Sequence, residues 1–186
     1  MIENKHFKKI VFTKETLKVD EYDNCSFIDC DFSNSTVNNI VFFECEFITC
    51  NLSLCKTQNT AFKDVKFENC KLLGIDFSEC NPFLLVLNFD NCFMNLSSFY
   101  KLKLKMRTFK NCSLQEVDFS GSDLSNSKFI NCDLKSAVFD RTILVKTNFT
   151  SATNYNIDPE NNKIKGALFS KDGLIGLLGK YKINIK

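Results

Sequence analysis

Read from Phe7 in steps of five, the chain places a large apolar side chain almost without interruption: Phe7, Phe12, Leu17, Tyr22, Phe27, Phe32, Val37, Phe42, Phe47, Leu52, Thr57, Phe62, Phe67, Leu72 and Phe77. Only Thr57 breaks the run. The register slips by two residues around Asn81-Pro82 and resumes as Leu84, Phe89, Met94, Phe99, Leu104, Phe109, Leu114, Phe119, Leu124, Phe129, Leu134, Phe139, Leu144 and Phe149. About a third of these positions would be large and apolar by chance in such a composition.

A second column lies two residues earlier in each step and is mostly small. It begins Cys25, Cys30, Ser35, Ile40, Cys45, Cys50 in the first register and Leu87, Cys92, Ser97, Leu102, Arg107, Cys112 in the second, and all 10 cysteines of the chain fall in it. A period of five fits neither a helix nor a strand. It suits a backbone that turns a corner every five residues, with one bulky and one small side chain directed inward from each side. Four sides make a coil of 20 residues, and coils spaced like hydrogen-bonded strands stack about 4.8 Å apart. Roughly seven coils between residues 7 and 149 would then form a rod on the order of 30–35 Å long.

The five-residue units read Cys30-Asp31-Phe32-Ser33-Asn34, Val117-Asp118-Phe119-Ser120-Gly121, Ser122-Asp123-Leu124-Ser125-Asn126 and Cys132-Asp133-Leu134-Lys135-Ser136. This pattern resembles the pentapeptide-repeat family over residues 22 to 151, and within it the Qnr-type and mycobacterial quinolone-resistance members. The resemblance implies an all-β, right-handed quadrilateral β-helix with a short C-terminal α-helix. Four parts are expected: an N-terminal cap over residues 1–21, a first β-helix segment over 22–81, a second over 82–151, and a C-terminal cap with a dimerisation helix over 152–186. Terminal caps are needed because an end coil otherwise exposes unpaired backbone groups. In the N-terminal cap the small position is filled by Lys5, Ile10, Glu15 and Asp20. The unbroken register from Leu84 to Phe149 leaves no room for a long inserted loop, which looks closer to the mycobacterial member than to loop-bearing Qnr proteins.

After Ala152 the period is lost. Ser170 is a plausible N-cap, and Lys171 to Gly179 place Leu174, Ile175, Leu177 and Leu178 on one helical face. Gly179 suits the position after a helix end, and Ile183 and Ile185 alternate as in a short strand. The resemblance implies homodimerisation through this segment; a plug for the end of the β-helix is the plainer reading.

Composition adds constraint rather than chemistry. The chain has 186 residues, 20 Phe, no Trp, 2 Pro, 6 Gly and 1 His. It shows no apolar run long enough to cross a bilayer and no signal-peptide pattern, so a cytoplasmic protein is expected. Cysteines 20 residues apart, such as Cys30, Cys50 and Cys70 or Cys92, Cys112 and Cys132, would stack with parallel Cβ directions, which suits neither a disulfide nor a tetrahedral zinc site. They read as small buried hydrophobes. His6 stands alone, no phosphate-binding glycine loop is present, and neither a cofactor nor enzymatic turnover is expected.

Charge is unevenly distributed along the chain. Residues 22–81 hold nine acids against four lysines, a net of −5; residues 82–151 hold six acids against nine bases, a net of +3, and residues 152–186 add a further +3. Folded into four sides, Asp29, Glu44, Glu46, Asp64 and Glu68 surround one corner of the first segment, with Glu44 over Asp64. Lys103, Lys105, Arg107 and Lys110, with Lys128 and Lys146, form a basic stripe on two sides of the second. The resemblance implies a protein partner, a type II topoisomerase (DNA gyrase or topoisomerase IV), bound by an acidic rod that imitates DNA. The acidic half here is N-terminal, whereas the family's mimics use an acidic centre. A rigid scaffold for some other protein, or weak nucleic-acid contact through the stripe, are the alternatives. Tyr100 is the one outward aromatic near the stripe that could stack on a base.

Overall fold

The computed structural model describes residues 1–12, 17 and 21–184. Short strands recur in chain order as β1 (Ile2–Glu3), β2 (His6–Lys8), β3 (Glu21–Asp23), β4 (Ser26–Ile28), β5 (Val41–Phe43), β6 (Glu46–Ile48), β7 (Ala61–Lys63), β8 (Val65–Glu68), β9 (Leu87–Asp90), β10 (Thr108–Lys110) and β11 (Lys128–Ile130). They lie in two parallel sheets, β1-β3-β5-β7 and β2-β4-β6-β8-β9-β10-β11. The remaining sides are built from single parallel bridges, such as Asp31 to Asn51 to Lys71 and Ser98 to Asp118 to Val138. The molecule is the expected four-sided β-helix.

Each coil advances 20 residues, as in the pairing of Phe7 with Phe27 and of Phe27 with Phe47. The exception joins Phe67 to Phe89 and Lys71 to Phe93, a step of 22. The two extra residues lie between Asn81 and Val86, where the sequence slips. Leu84, expected to point inward, is instead exposed with φ +58°. Leu85 packs against the core in its place. The cause is local: seven residues span a side that elsewhere takes five, so the middle of the segment bows outward.

Corners explain the polar positions. The second residue after nearly every large one has positive φ, as at Asn24 (47°), Asp29 (54°), Asn34 (54°) and Asn39 (62°) around one coil. Asn and Asp enter this left-handed region more easily than other non-glycine residues. On the turn sides the corner closes with a bond of the type II turn, from Ser35 N–H to the Phe32 carbonyl at 3.1 Å and from Ile40 N–H to the Val37 carbonyl at 3.2 Å.

The large side chains stack into columns along the axis. Phe7, Phe27, Phe47, Phe67, Phe89, Phe109, Phe129, Phe149 and Phe169 form one continuous pile with centroids 4.8 to 5.4 Å apart. Phe77, Phe99, Phe119 and Phe139 form a second. Rings of adjoining sides meet edge to face, as Phe109 and Phe119 do at 5.8 Å and 82°. Both arrangements suit the ring quadrupole.

The C-terminal region departs from expectation twice. The coil does not end at Ala152: Lys163 bridges Ile143, Leu168 bridges Asn148, and Phe169 stacks on Phe149. Ile164 and Phe169 fall on the five-residue register, but the ten residues before them do not, so the pattern hides the coil. Here Tyr155, Ile157 and the amide of Asn162 fill the interior. The predicted α-helix over residues 171–179 is two 3₁₀ turns, Asp172–Leu177 and Gly179–Tyr181. Gly173, Gly176 and Gly179 recur every three residues, the period of a 3₁₀ helix. They form a side-chain-free edge pressed on Tyr155 and Asn156, where a Cβ on Gly176 would lie 2.7 Å from the Tyr155 ring and one on Gly179 2.6 Å from Asn156 Oδ1. Ser170 does cap this segment, its hydroxyl accepting from Gly173 N–H at 3.0 Å. Residues 182–184 form no strand. Ile185, Glu15 and Asp20, singled out in the sequence, lie outside the described residues.

Candidate interaction surfaces

The interior accounts for every thiol. All 10 cysteines are free and buried. The 22-residue step brings two expected stacks into one column, Cys30, Cys50, Cys70, Cys92, Cys112 and Cys132. Within it Cys50 Sγ donates to the Phe27 carbonyl and Cys70 Sγ to the Phe47 carbonyl, both at 3.2 Å, and Cys132 Sγ to that of Phe109 at 3.3 Å. Elsewhere Ser97, Ser127 and Thr147 hydroxyls donate to the Leu72, Leu104 and Leu124 carbonyls at 2.7, 2.6 and 2.8 Å. The small column is therefore a column of hydrogen donors as well as of small volume, a role the sequence pattern did not reveal. Burial pushes the thiols of Cys45 and Cys80 up to about 12 and that of Cys55 up to about 11. Among the described residues, no three His, Cys, Asp or Glu side chains converge on a metal-binding arrangement. His6 is exposed, and its Nδ1 lies 2.6 Å from Ser26 Oγ.

Recognition therefore rests on the outside. Glu44 (φ 51°) and Asp64 (φ 54°) occupy successive copies of one corner, as expected. Asp29 occupies the next corner of its coil, and Glu46 and Glu68 lie on β6 and β8 between the two corners. The cluster is less acidic than its composition suggests. Lys66 Nζ lies 2.9 Å from Glu46 Oε1. Glu68 pairs in register with Asp90, which is held by Lys110 at 2.7 Å. The Lys110 ammonium also draws the Asp90 carboxyl below its usual range.

The basic stripe is likewise divided. Lys103 and Lys105 stand on the β1-β3-β5-β7 side, and Lys110 on the adjacent side in β10. Lys105 reaches Asp123 at 3.2 Å. Arg107, at an inward small position, folds back so that its Nε–H donates to the Lys105 carbonyl at 3.0 Å. Two of the four stripe cations are thus occupied by carboxylates.

At the C-terminal end, Leu174 and Ile175 are exposed, Leu178 is half-buried, and Leu177 packs against the core. The four do not form one exposed face, because a 3₁₀ helix distributes side chains over three edges rather than along an α-helical stripe. The segment is pinned by Lys180, which lies 2.8 Å from Asp158 and also pairs with Glu160, and by Tyr181, whose hydroxyl donates to Glu160 at 2.9 Å.

An apolar girdle was not anticipated. Phe83, Leu84 and Met106 are exposed on one side of the rod, and Leu54, Phe93 and Leu96 on another. The sequence signal was available in Phe83, which has no place in either register, and in apolar residues at corner positions, Leu54, Leu96 and Met106, where Asn predominates.

Two family models match the chain, one described as a pentapeptide repeat region over residues 21–83 and one as pentapeptide repeats (8 copies) over residues 112–150. Comparison with curated protein sequences gives no significant match. Among solved structures, HetL, a pentapeptide repeat protein involved in heterocyst differentiation regulation from the cyanobacterium Nostoc sp. strain PCC 7120, is similar at 14% identity and TM-score 0.62, covering 92% of this chain and 88% of that one. A trypsin-treated form of QnrB1, a plasmid-mediated fluoroquinolone resistance protein, is similar at 17% identity and TM-score 0.50, covering 98% and 100%. At these identities the likeness is one of fold.

Proposed function

The chain belongs to the pentapeptide-repeat family, and from that premise we propose that it is a non-enzymatic rod that binds a protein partner through its outer faces. One observation carries this reading: most of the thiols and small hydroxyls are spent on bonds to backbone carbonyls, while charge and exposed apolar side chains are arranged on flat sides. The Leu174–Ile175 edge is the surface the family resemblance assigns to a second copy. The test is chemical crosslinking in lysate with purified wild-type protein, a Glu44→Lys/Asp64→Lys variant and a Leu174→Asp/Ile175→Asp variant. A partner retained by wild type and lost on one of the variants supports the proposal. A partner retained by all three excludes these surfaces.

The column of Glu44 over Asp64 favours one specific reading within this class, imitation of DNA toward a type II topoisomerase. Lys66 and Lys110 oppose it by neutralising part of the same side. Protection of gyrase supercoiling from a quinolone by micromolar protein, lost in Glu44→Lys/Asp64→Lys, is the expected result. Absence of protection removes the reading and leaves the general one standing.

A further inference from the structure

On the β1-β3-β5-β7 side, charge and hydrophobicity are arranged with opposite sense about the middle of the rod. Outward residues of the first two coils are acidic or apolar, Glu21 and Asp23, then Val41 and Phe43 with Glu44 at the corner, and Lys63 follows in the third. Outward residues of the last two coils are basic or apolar, Ile143 and Val145 with Lys146 at the corner, then Lys163 and Lys165, with Asp123 in the coil before them. Between them lie Phe83, Leu84 and Met106, which are 68%, 59% and 69% exposed.

We propose that this side binds a second copy of the chain, antiparallel, with the two-fold axis between the coil of Phe83 and the coil of Met106. Such an isologous contact requires that each level match its counterpart across the axis. It does so at the two outer levels; at the inner ones Lys103 and Lys105 share the face with Met106. Phe83 and Leu84 meet Met106. Lys63 meets Asp123. Val41 and Phe43 meet Ile143 and Val145 while Glu44 meets Lys146. Glu21 and Asp23 meet Lys163 and Lys165. The coil spacing is the same in both copies, so a single alignment brings both outer levels into register at once. No comparable gradient exists on the side bearing Asp31 and Leu54, where Glu116 and Asp133 place acids in the late coils too.

A face of about eight coils, each about 4.8 Å high, is small for a protein interface, so association in the micromolar range is expected. Steering by complementary charge makes it salt-sensitive.

Sedimentation velocity on the full chain tests the proposal. Wild type forms a dimer that weakens as salt rises. Glu44→Lys and Lys146→Glu, each counted twice by symmetry, raise the dissociation constant roughly tenfold or more. The chain carrying both substitutions regains wild-type affinity. Folding is preserved by design, since lysine already occupies this corner conformation at Lys101 (57°) and glutamate at Glu116 (58°). A wild type that stays monomeric at about 100 µM, well above the affinity expected for such an area, overturns the proposal. So does a dimer broken by Leu174→Asp/Ile175→Asp and indifferent to both charge reversals, or a double variant that fails to recover.

Discussion

Gly176 lies flush on the ring of Tyr155, with room for no side chain: a Cβ there would come within 2.7 Å of the ring. In a free helix, replacing glycine by alanine is favourable by about 1 kcal/mol. Here the sign reverses, because the methyl would lift the segment off the last coil. Gly176→Ala and Gly173→Ala are expected to weaken docking of residues 172–181 by about 1–3 kcal/mol, the range for overpacking. Amide exchange in that segment should accelerate while exchange near Phe109 is unchanged.

The phenylalanine pile is expected to be the main determinant of stability. Phe109 is fully buried and stacked between Phe89 at 5.4 Å and Phe129 at 5.0 Å. Truncation of Phe109 to alanine should cost about 3–5 kcal/mol by cavity formation. Coils touch only their neighbours, so the loss should divide the unfolding transition into two, visible by calorimetry as a broadened or split peak.

Alkaline pH should destabilise the rod. Burial raises the thiols of Cys45, Cys55 and Cys80 to about 12, 11 and 12, above the value of about 8.5 in an unfolded chain. A group raised on folding stabilises below its unfolded value and loses that contribution as pH rises toward the folded one. Stability should therefore fall between about pH 8.5 and 12, by up to about 1.4 kcal/mol per unit for each thiol. Denaturant midpoints across this range would check it. In the native state at pH 8, a thiol reagent should label none of the ten cysteines until the protein unfolds.

The C-terminal cap should respond to acid in the opposite sense. Lys180 holds the Asp158 and Glu160 carboxyls below their usual range. The stabilisation is present above about pH 4 and fades as pH falls through the lowered values. Lys180→Ala should loosen the cap at pH 7, read as faster proteolysis after residue 170, and should match wild type once both acids are protonated.

Much of this architecture was legible because the side chains that make the core recur at fixed spacing. Phe27, Phe47 and Phe67 stack as their separation implies, and the slip at Asn81-Pro82 is the longer coil. What escaped the pattern had physical reasons. Leu84 looked inward because the register predicts only position, not the bowing of an overlong side. The last coil was hidden because Tyr155, Ile157 and Asn162 fill it without the five-residue rhythm. Leu174 to Leu178 read equally well as α-helix, and only the threefold recurrence of glycine distinguishes the tighter turn. The acidic and basic clusters were found, but their neutralisation by Lys66, Asp90 and Asp123 depends on which coils adjoin. Each of these pairs joins neighbouring coils of one segment, and which lysine reaches which carboxylate is set by side-chain geometry rather than by the repeat.

The uniform climb of one coil per 20 residues separates reach from recognition. A duplication or loss of whole coils would lengthen or shorten the molecule and leave each side's outward pattern in phase. The single 22-residue coil does not disturb that phase, because its surplus is absorbed in one outward bow. Descendants of such a chain can therefore change how far they extend by insertion and what they bind by substitution, each without undoing the other.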